Sequence, residues 1–148
     1  MRDQGFNVVL GVRPGRSWDK ALADGWVAGE NLFEMEEAAQ KGTILQYLVS
    51  DAAQIVLWQM VKDSLKDGDA LYFSHGFGIV FKDHTSIVPQ ANVDVILCAP
   101  KGSGLTVRTH FLEGRGINSS FAIHQDFTGK ARDRCIATAF AILSLIHI

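Results

Sequence analysis

Four short stretches carry the side chains from which a site could be built: RPGRSW at 13–18, SDAAQ at 50–54, SHGFG at 74–78 and KGSG at 101–104. In the first, Arg13 and Arg16 offer two guanidinium forks and Ser17 a hydroxyl where a helix starts. That is a cradle for a phosphate monoester such as the 2′-phosphate of NADPH; two solvated arginines in a surface loop fit the same letters. Ser50 and Asp51, with the first amides of a helix, would face whatever lies over them, or serve only as a cap. His75 brings an imidazole, which changes charge near neutrality and suits acid/base or hydrogen-bonding work. Its plainer role is to bind a backbone carbonyl at a strand end. Lys101, followed by flexible glycines, would reach an anionic ligand while the backbone stays close. It is no P-loop lysine, because it precedes its glycines. His84, His110, His124 and His147 have no such setting and read as surface or packing residues. There is no G-x-S-x-G, no H-E-x-x-H and no carboxylate cluster, so neither a serine hydrolase nor a self-contained metal site is expected.

What gives these stretches meaning is that each follows an apolar run. FNVVLGV (6–12) reads as a strand buried on both faces, and SWDKALADG as a helix capped by Ser17 and closed by Gly25. NLFEMEEAAQKG reads as a second helix ending at Gly42, and TILQYLV as the next strand. From Ser50 the period changes: Asp51 and Gln54 open a helix with a start close to a capping box, and Leu57, Trp58, Val61 and Leu65 share one face. ALYF and VDVILCAP are strands, GLTVRTHFLEG a helix between glycines, and SFAIHQ a last strand. A final helix from about Gly129 lines up Cys135, Ile136, Ala139, Phe140 and Leu143. Solid apolar strands alternating with helices predict a parallel α/β sheet covered on both faces, with ligands beyond the carboxyl ends of the strands.

The chain has 148 residues and a net charge of −2, which suits one domain with a real core and offers no basic surface for nucleic acid. No apolar window is long enough for a membrane span, and MRDQGF lacks the layout of a signal peptide. The expected compartment is the cytosol, or an organelle interior if a transit segment is missing. Cys98 and Cys135 form no C-x-x-C and sit among apolar residues, as core fillers would.

Taken in order, GVRPGRSWDKALADG, LFEMEEAAQKG, LVSDAAQ, LYFSHGF, DVILCAPKGSG and TVRTHFLEGRGINSSFAIHQDFTGKA resemble the N-terminal, NADPH-binding Rossmann domain of ketol-acid reductoisomerase, also called acetohydroxy acid isomeroreductase. The resemblance runs over residues 2–141. It implies Mg²⁺-dependent alkyl migration in a 2-acetohydroxy acid, then reduction by NADPH to a 2,3-dihydroxy acid, a step of valine and isoleucine biosynthesis. Arg13, Arg16 and Ser17 would hold the 2′-phosphate, Ser50 and Asp51 would lie along the cofactor, and His75 and Lys101 would face nicotinamide and substrate. The full-length enzyme is expected to be a homo-oligomer.

The chain departs from the family at both ends. The family's first strand and its G-x-G-x-x-G turn have no counterpart, and that strand would be central in the sheet, so its two neighbours are expected to lose their shared partner. Unpaired backbone groups cost about 1–3 kcal/mol each where they are buried. At the other end, 142–148 diverges from the pattern, and the helical, knotted domain that carries the Asp and Glu ligands of Mg²⁺ would be absent. The expectation is a partial domain over 1–141 that binds NADPH poorly and does not turn over alone. Two alternatives remain: a non-catalytic nucleotide- or partner-binding module whose sheet another chain completes, and a different Rossmann oxidoreductase using His75 as its acid.

Overall fold

The structure is a computed structural model in which residues 1–144 are described. His147 and the end of the divergent tail lie outside them. A 3-10 turn at Arg2–Gln4 precedes β1 (Leu10–Gly11), α1 (Arg16–Ala23), β2 (Leu32–Phe33), α2 (Met35–Lys41), β3 (Ile44–Gln46) and α3 (Asp51–Ser64). Then come β4 (Ala70–Phe73), α4 (Phe77–Val80), α5 (Lys82–Thr85), β5 (Asp94–Pro100), α6 (Gly104–Leu112), β6 (Ser119–Gln125) and α7 (Ala131–Phe140). The architecture is the mixed α/β one expected. The short helices α4 and α5 carry no pattern that marks them in the sequence.

β3, β4, β5 and β6 form one sheet in that order, and β1 and β2 a separate parallel pair. Side-chain alternation explains how the larger sheet is covered. Leu71 and Phe73 of β4, with Val93 and Val95 beside them, face Trp58 and Val61 of α3. Ala70 and Tyr72, with Ile96 and Cys98 of β5, face Ala131, Cys135 and Ala139 of α7. Strands buried on both faces have no polar side to show, which is why ALYF and, beyond Asp94, VILC read as unbroken apolar runs. Cys98 and Cys135 are core residues as expected; burial pushes the Cys135 thiol up to about 11 and raises that of Cys98.

Several expectations are corrected. The sheet is not wholly parallel: β6 runs antiparallel to β5, because the chain returns through α6 to the same end of the sheet. Leu32 and Phe33 belong to β2, not to a helix, and α2 starts only at Met35; both residues are buried beside β1, and that tertiary burial outweighs helical patterning. Gly15, at φ 105°, caps α1 in place of Ser17, since only glycine turns easily from the strand exit through that backbone region. Phe140 is 53% exposed and leaves the buried stripe of α7. Of 142–148, the described part is docked: Ser144 donates to the carbonyl of Ile117 at 2.7 Å.

The FNVVLGV run is paired only at Leu10–Gly11 and is nowhere fully buried. Leu10 and Val12 donate to Asn31 and Phe33, so the alternate backbone groups of Val9 and Gly11 point away from β2. On β3, Tyr47 donates to Tyr72 and Thr43 accepts from Ala70, so the groups of Ile44 and Gln46 point away from β4. Two parallel edges are therefore left open, one on each sheet. Helix α2 comes close over β1 because residue 11 is glycine; a Cβ there would lie 2.7 Å from that of Ala38.

At the other end of β5, Asp94 is fully buried. Burial opposes its charge, but the amide and hydroxyl of Thr128, the guanidinium of Arg134 and the amide of Phe127 together hold its carboxyl below the usual carboxylate range. The network ties β5 to α7. Replacing Asp94 by Asn is expected to cost about 2–3 kcal/mol, because Arg134 and Thr128 lose their acceptor. Since the folded carboxyl is depressed, its contribution is complete above about pH 4 and fades as pH falls through the folded value. Urea midpoints at neutral and acid pH check both points; an Asp94→Asn chain with unchanged midpoint and acid sensitivity would refute the assignment.

Candidate functional site

β1, β3, β4 and β5 all run the same way within their sheets, so the loops that follow them leave at the carboxyl ends of the strands. Those loops carry Arg13, Ser50, His75 and Lys101. Arg13 and Ser50 line one cavity of about 520 Å³, together with Met35, Val49, Val56 and Leu57. Apolar α3 side chains floor it and Arg13 supplies charge from across the gap between the two sheets. A second hollow, near 580 Å³ and bounded by Glu37, Lys41, Asp63 and Lys66, lies at the opposite ends of α2 and α3 and mixes charges of both signs.

The helix start at Ser50 is fixed by Gln54, which is 2% exposed. Its amide donates to the carbonyls of Tyr47 and Val49 at 3.1 and 3.2 Å, and Tyr47 returns a hydroxyl bond to the carbonyl of Gln54 at 2.6 Å. Gln54 is thus a clasp between β3 and α3, not the back-reaching member of a capping box. The loop after β4 is held against the same residue. A Cβ on Gly78 would sit 3.0 Å from Gln54 Oε1 and from Ile87 Cδ1, and Thr85 donates to the Gly78 carbonyl at 2.6 Å. Tyr47, Gly78 and Thr85 carry no spacing signal that would single them out; only the D-x-x-Q start drew attention to Gln54.

The clasp brings two site residues together. His75 Nε2 lies 3.4 Å from Asp51 Oδ1. Asp51 is the first helical residue of α3, where the helix dipole favours a carboxylate.

Arg16 and Ser17 stand in the first turn of α1, exposed and outside the cavity lining. Gly15 gives α1 no side-chain cap, so the first-turn amides remain available to an anion alongside the two guanidiniums. Lys101 is exposed, its amide bonded to the Asn118 carbonyl at 2.8 Å; Ser103 caps α6 by accepting from Thr106. Among the described residues, no side-chain hydrogen bond or ion pair engages Arg13, Arg16 or Lys101. The same residues contain no group of three or more His, Cys, Asp or Glu that could hold a metal ion, and no helix long and apolar enough to cross a membrane.

A sequence model of the acetohydroxy acid isomeroreductase NADPH-binding domain matches residues 1–145. The chain is 59% identical over 143 residues to a ketol-acid reductoisomerase (NAD(+)) of Desulfosudis oleivorans, covering 96% of this chain and 41% of that protein. It is 45% identical over 142 residues to a ketol-acid reductoisomerase (NADP(+)) of Akkermansia muciniphila, covering 95% and 41%. The structure of an NADH-preferring ketol-acid reductoisomerase from an uncultured archean superposes with a TM-score of 0.85 at 38% identity, over 95% of this chain and 43% of that one. The chain therefore spans about two fifths of the length of these relatives.

Because Gln54 sets where α3 begins, Gln54→Leu is expected to cost about 1–3 kcal/mol and to release the 47–51 turn, leaving the Tyr47 and Val49 carbonyls unpaired. Amide hydrogen exchange would show faster exchange confined to residues near the clasp; unchanged protection there would count against it.

Proposed function

The chain belongs to the acetohydroxy acid isomeroreductase NADPH-binding domain family, and from that premise we propose that it forms the cofactor-facing part of a ketol-acid reductoisomerase. The reaction would be alkyl migration in a 2-acetohydroxy acid followed by reduction to a 2,3-dihydroxy acid, in branched-chain amino acid biosynthesis. One observation carries the reading: Arg13 and Ser50, which follow strands of different sheets, share a single cavity, with the Asp51–His75 pair beside it at the start of α3 and in the loop after β4. Parallel α/β sheets place their ligands at such a rim.

Bound NADPH would supply the hydride. The residues of the chain do the holding: Arg13, Arg16, Ser17 and the first amides of α1 take the 2′-phosphate, and Ser50 lies along the dinucleotide. Lys101 sets a positive charge against the anionic substrate. His75 holds or moves a proton at a substrate oxygen. The names of the relatives give NAD(+), NADP(+) and NADH, so family membership leaves the nucleotide open. The two arginines favour the phosphorylated form, since a 2′-phosphate gives a guanidinium fork two acceptors that a ribose hydroxyl lacks. Mg²⁺ does not fit the described residues, which gather no group of three or more His, Cys, Asp or Glu that could hold it. The likeness to longer relatives, the open edges of β1 and β3 and the lack of a G-x-G-x-x-G support the further reading that this chain alone does not turn over.

A second reading, a nucleotide- or partner-binding module completed by another polypeptide, is favoured by those same open edges. In either case the small-molecule partner is the anionic substrate or nucleotide, not nucleic acid. The larger enzyme would work as a homo-oligomer in the cytosol or an organelle interior.

Adenosine 2′,5′-bisphosphate is expected to shift the backbone signals of Arg13, Arg16 and Ser17 in an NMR titration, and adenosine 5′-monophosphate much less. Arg13→Ala with Arg16→Ala should weaken the former about tenfold or more, as loss of charge-assisted hydrogen bonds implies. Equal responses to the two nucleotides would remove the phosphate assignment. With 2-acetolactate, Mg²⁺ and NADPH the chain should give no fall in absorbance at the nicotinamide band. Steady oxidation would disprove the claim of inactivity, and saturable NADPH binding in calorimetry without turnover would favour the module.

A further inference from the structure

The carboxylate nearest to His75 belongs to a residue that the family pattern assigns to the cofactor. Asp51 Oδ1 is 3.4 Å from Nε2 of His75, and it is shielded from solvent with no hydrogen-bond partner among the described residues. The side chain as a whole remains 45% exposed, so one oxygen is turned inward toward the imidazole while the rest meets solvent. A shielded carboxylate oxygen without a donor is unfavourable. The imidazole N–H, at 3.4 Å, can satisfy it by a small rotation of either side chain. Catalytic hydrogen bonds in ligand-free proteins are commonly this long.

The backbones carrying the pair are not free to drift. Gln54, one turn after Asp51, clasps the end of β3 and packs against Gly78, three residues after His75. The two side chains are thus presented by interlocked segments. Neither the Asp51 nor the His75 side chain makes a hydrogen bond elsewhere among the described residues.

We propose that Asp51 is a positioning residue for His75: its Oδ1 accepts the Nε2 proton, which leaves Nδ1 as the nitrogen that takes up and returns a proton. One proton arrives at Nδ1 and the same one leaves it. Asp51 keeps its charge throughout, stabilised by the start of α3. This rests on the reading of His75 as the proton-handling group, and it assigns Asp51 to that group and not to the dinucleotide.

The tautomer tests it without any nucleotide. In ¹⁵N-labelled chain at about pH 8, where an ordinary imidazole is neutral, long-range ¹H–¹⁵N spectra, with His75→Gln for assignment, are expected to show Nε2 fully protonated and Nδ1 fully unprotonated. In Asp51→Ala the two nitrogen signals should move toward each other as the tautomers exchange, and in Asp51→Glu the separation should be at least partly restored. Asp51→Ser, which suits a helix start, is the second variant should the alanine chain not fold. A wild-type His75 protonated at Nδ1, averaged signals in the wild type, or a spectrum unchanged by loss of the carboxylate would each overturn the proposal. A fixed tautomer in a chain that ignores 2′-phosphorylated nucleotides would instead sustain the pair and remove the phosphate assignment.

Discussion

Parallel pairing of β3, β4 and β5 is the constraint from which the site follows. Strands that run the same way must send the chain back across a face between one and the next, and here α3 makes the first of those crossings. Every such return leaves from the carboxyl end of a strand. Residues as distant in sequence as Ser50, His75 and Lys101 therefore follow strand ends on one rim without any direct attraction between them. The antiparallel β6 sits at the far edge and starts from that same rim, with Ser119 opposite Pro100 and the Asn118 carbonyl accepting from the Lys101 amide.

The gap between β1 and β3 shapes the same rim. Each of these strands pairs on one side only, and their apolar residues are half-buried where a two-sided strand would hide them. The larger sheet holds together because its central strand, β4, is buried on both faces and its two cores rest on α3 and α7. The β1–β2 pair depends on α2, brought near by Gly11. The cavity shared by Arg13 and Ser50 opens where the two units face one another, and so combines a guanidinium from one with a helix start from the other.

Charge and shape are divided between segments. The exposed 13–17 segment carries two cations and an uncapped helix start, at positions where side chains vary without disturbing the core. Asp51 and His75, by contrast, sit on segments joined through Gln54 and Gly78, where a change of side chain would shift packing.

Much of this was legible from letters alone. The apolar runs ALYF and VILC are strands covered on both faces, as their letters suggest, whereas FNVVLGV has the same look and is only half-buried; SHGF and APKGSG beyond the first two marked the family and the rim. Local pattern failed where the deciding partner was far away in the chain. Leu32 and Phe33 form a strand because β1 lies beside them, SFAIHQ runs antiparallel because of where α6 returns the chain, and Gln54 is a clasp because Tyr47 and Val49 present their carbonyls to it. The sequence by itself determined which residue types follow each strand, since the apolar runs stop where Arg13, Ser50, His75 and Lys101 begin to appear. Only the tertiary structure decided that Asp51 meets His75 and that Arg13 shares a cavity with Ser50. Distances between loops depend on strand order and helix packing, which no single stretch of chain encodes.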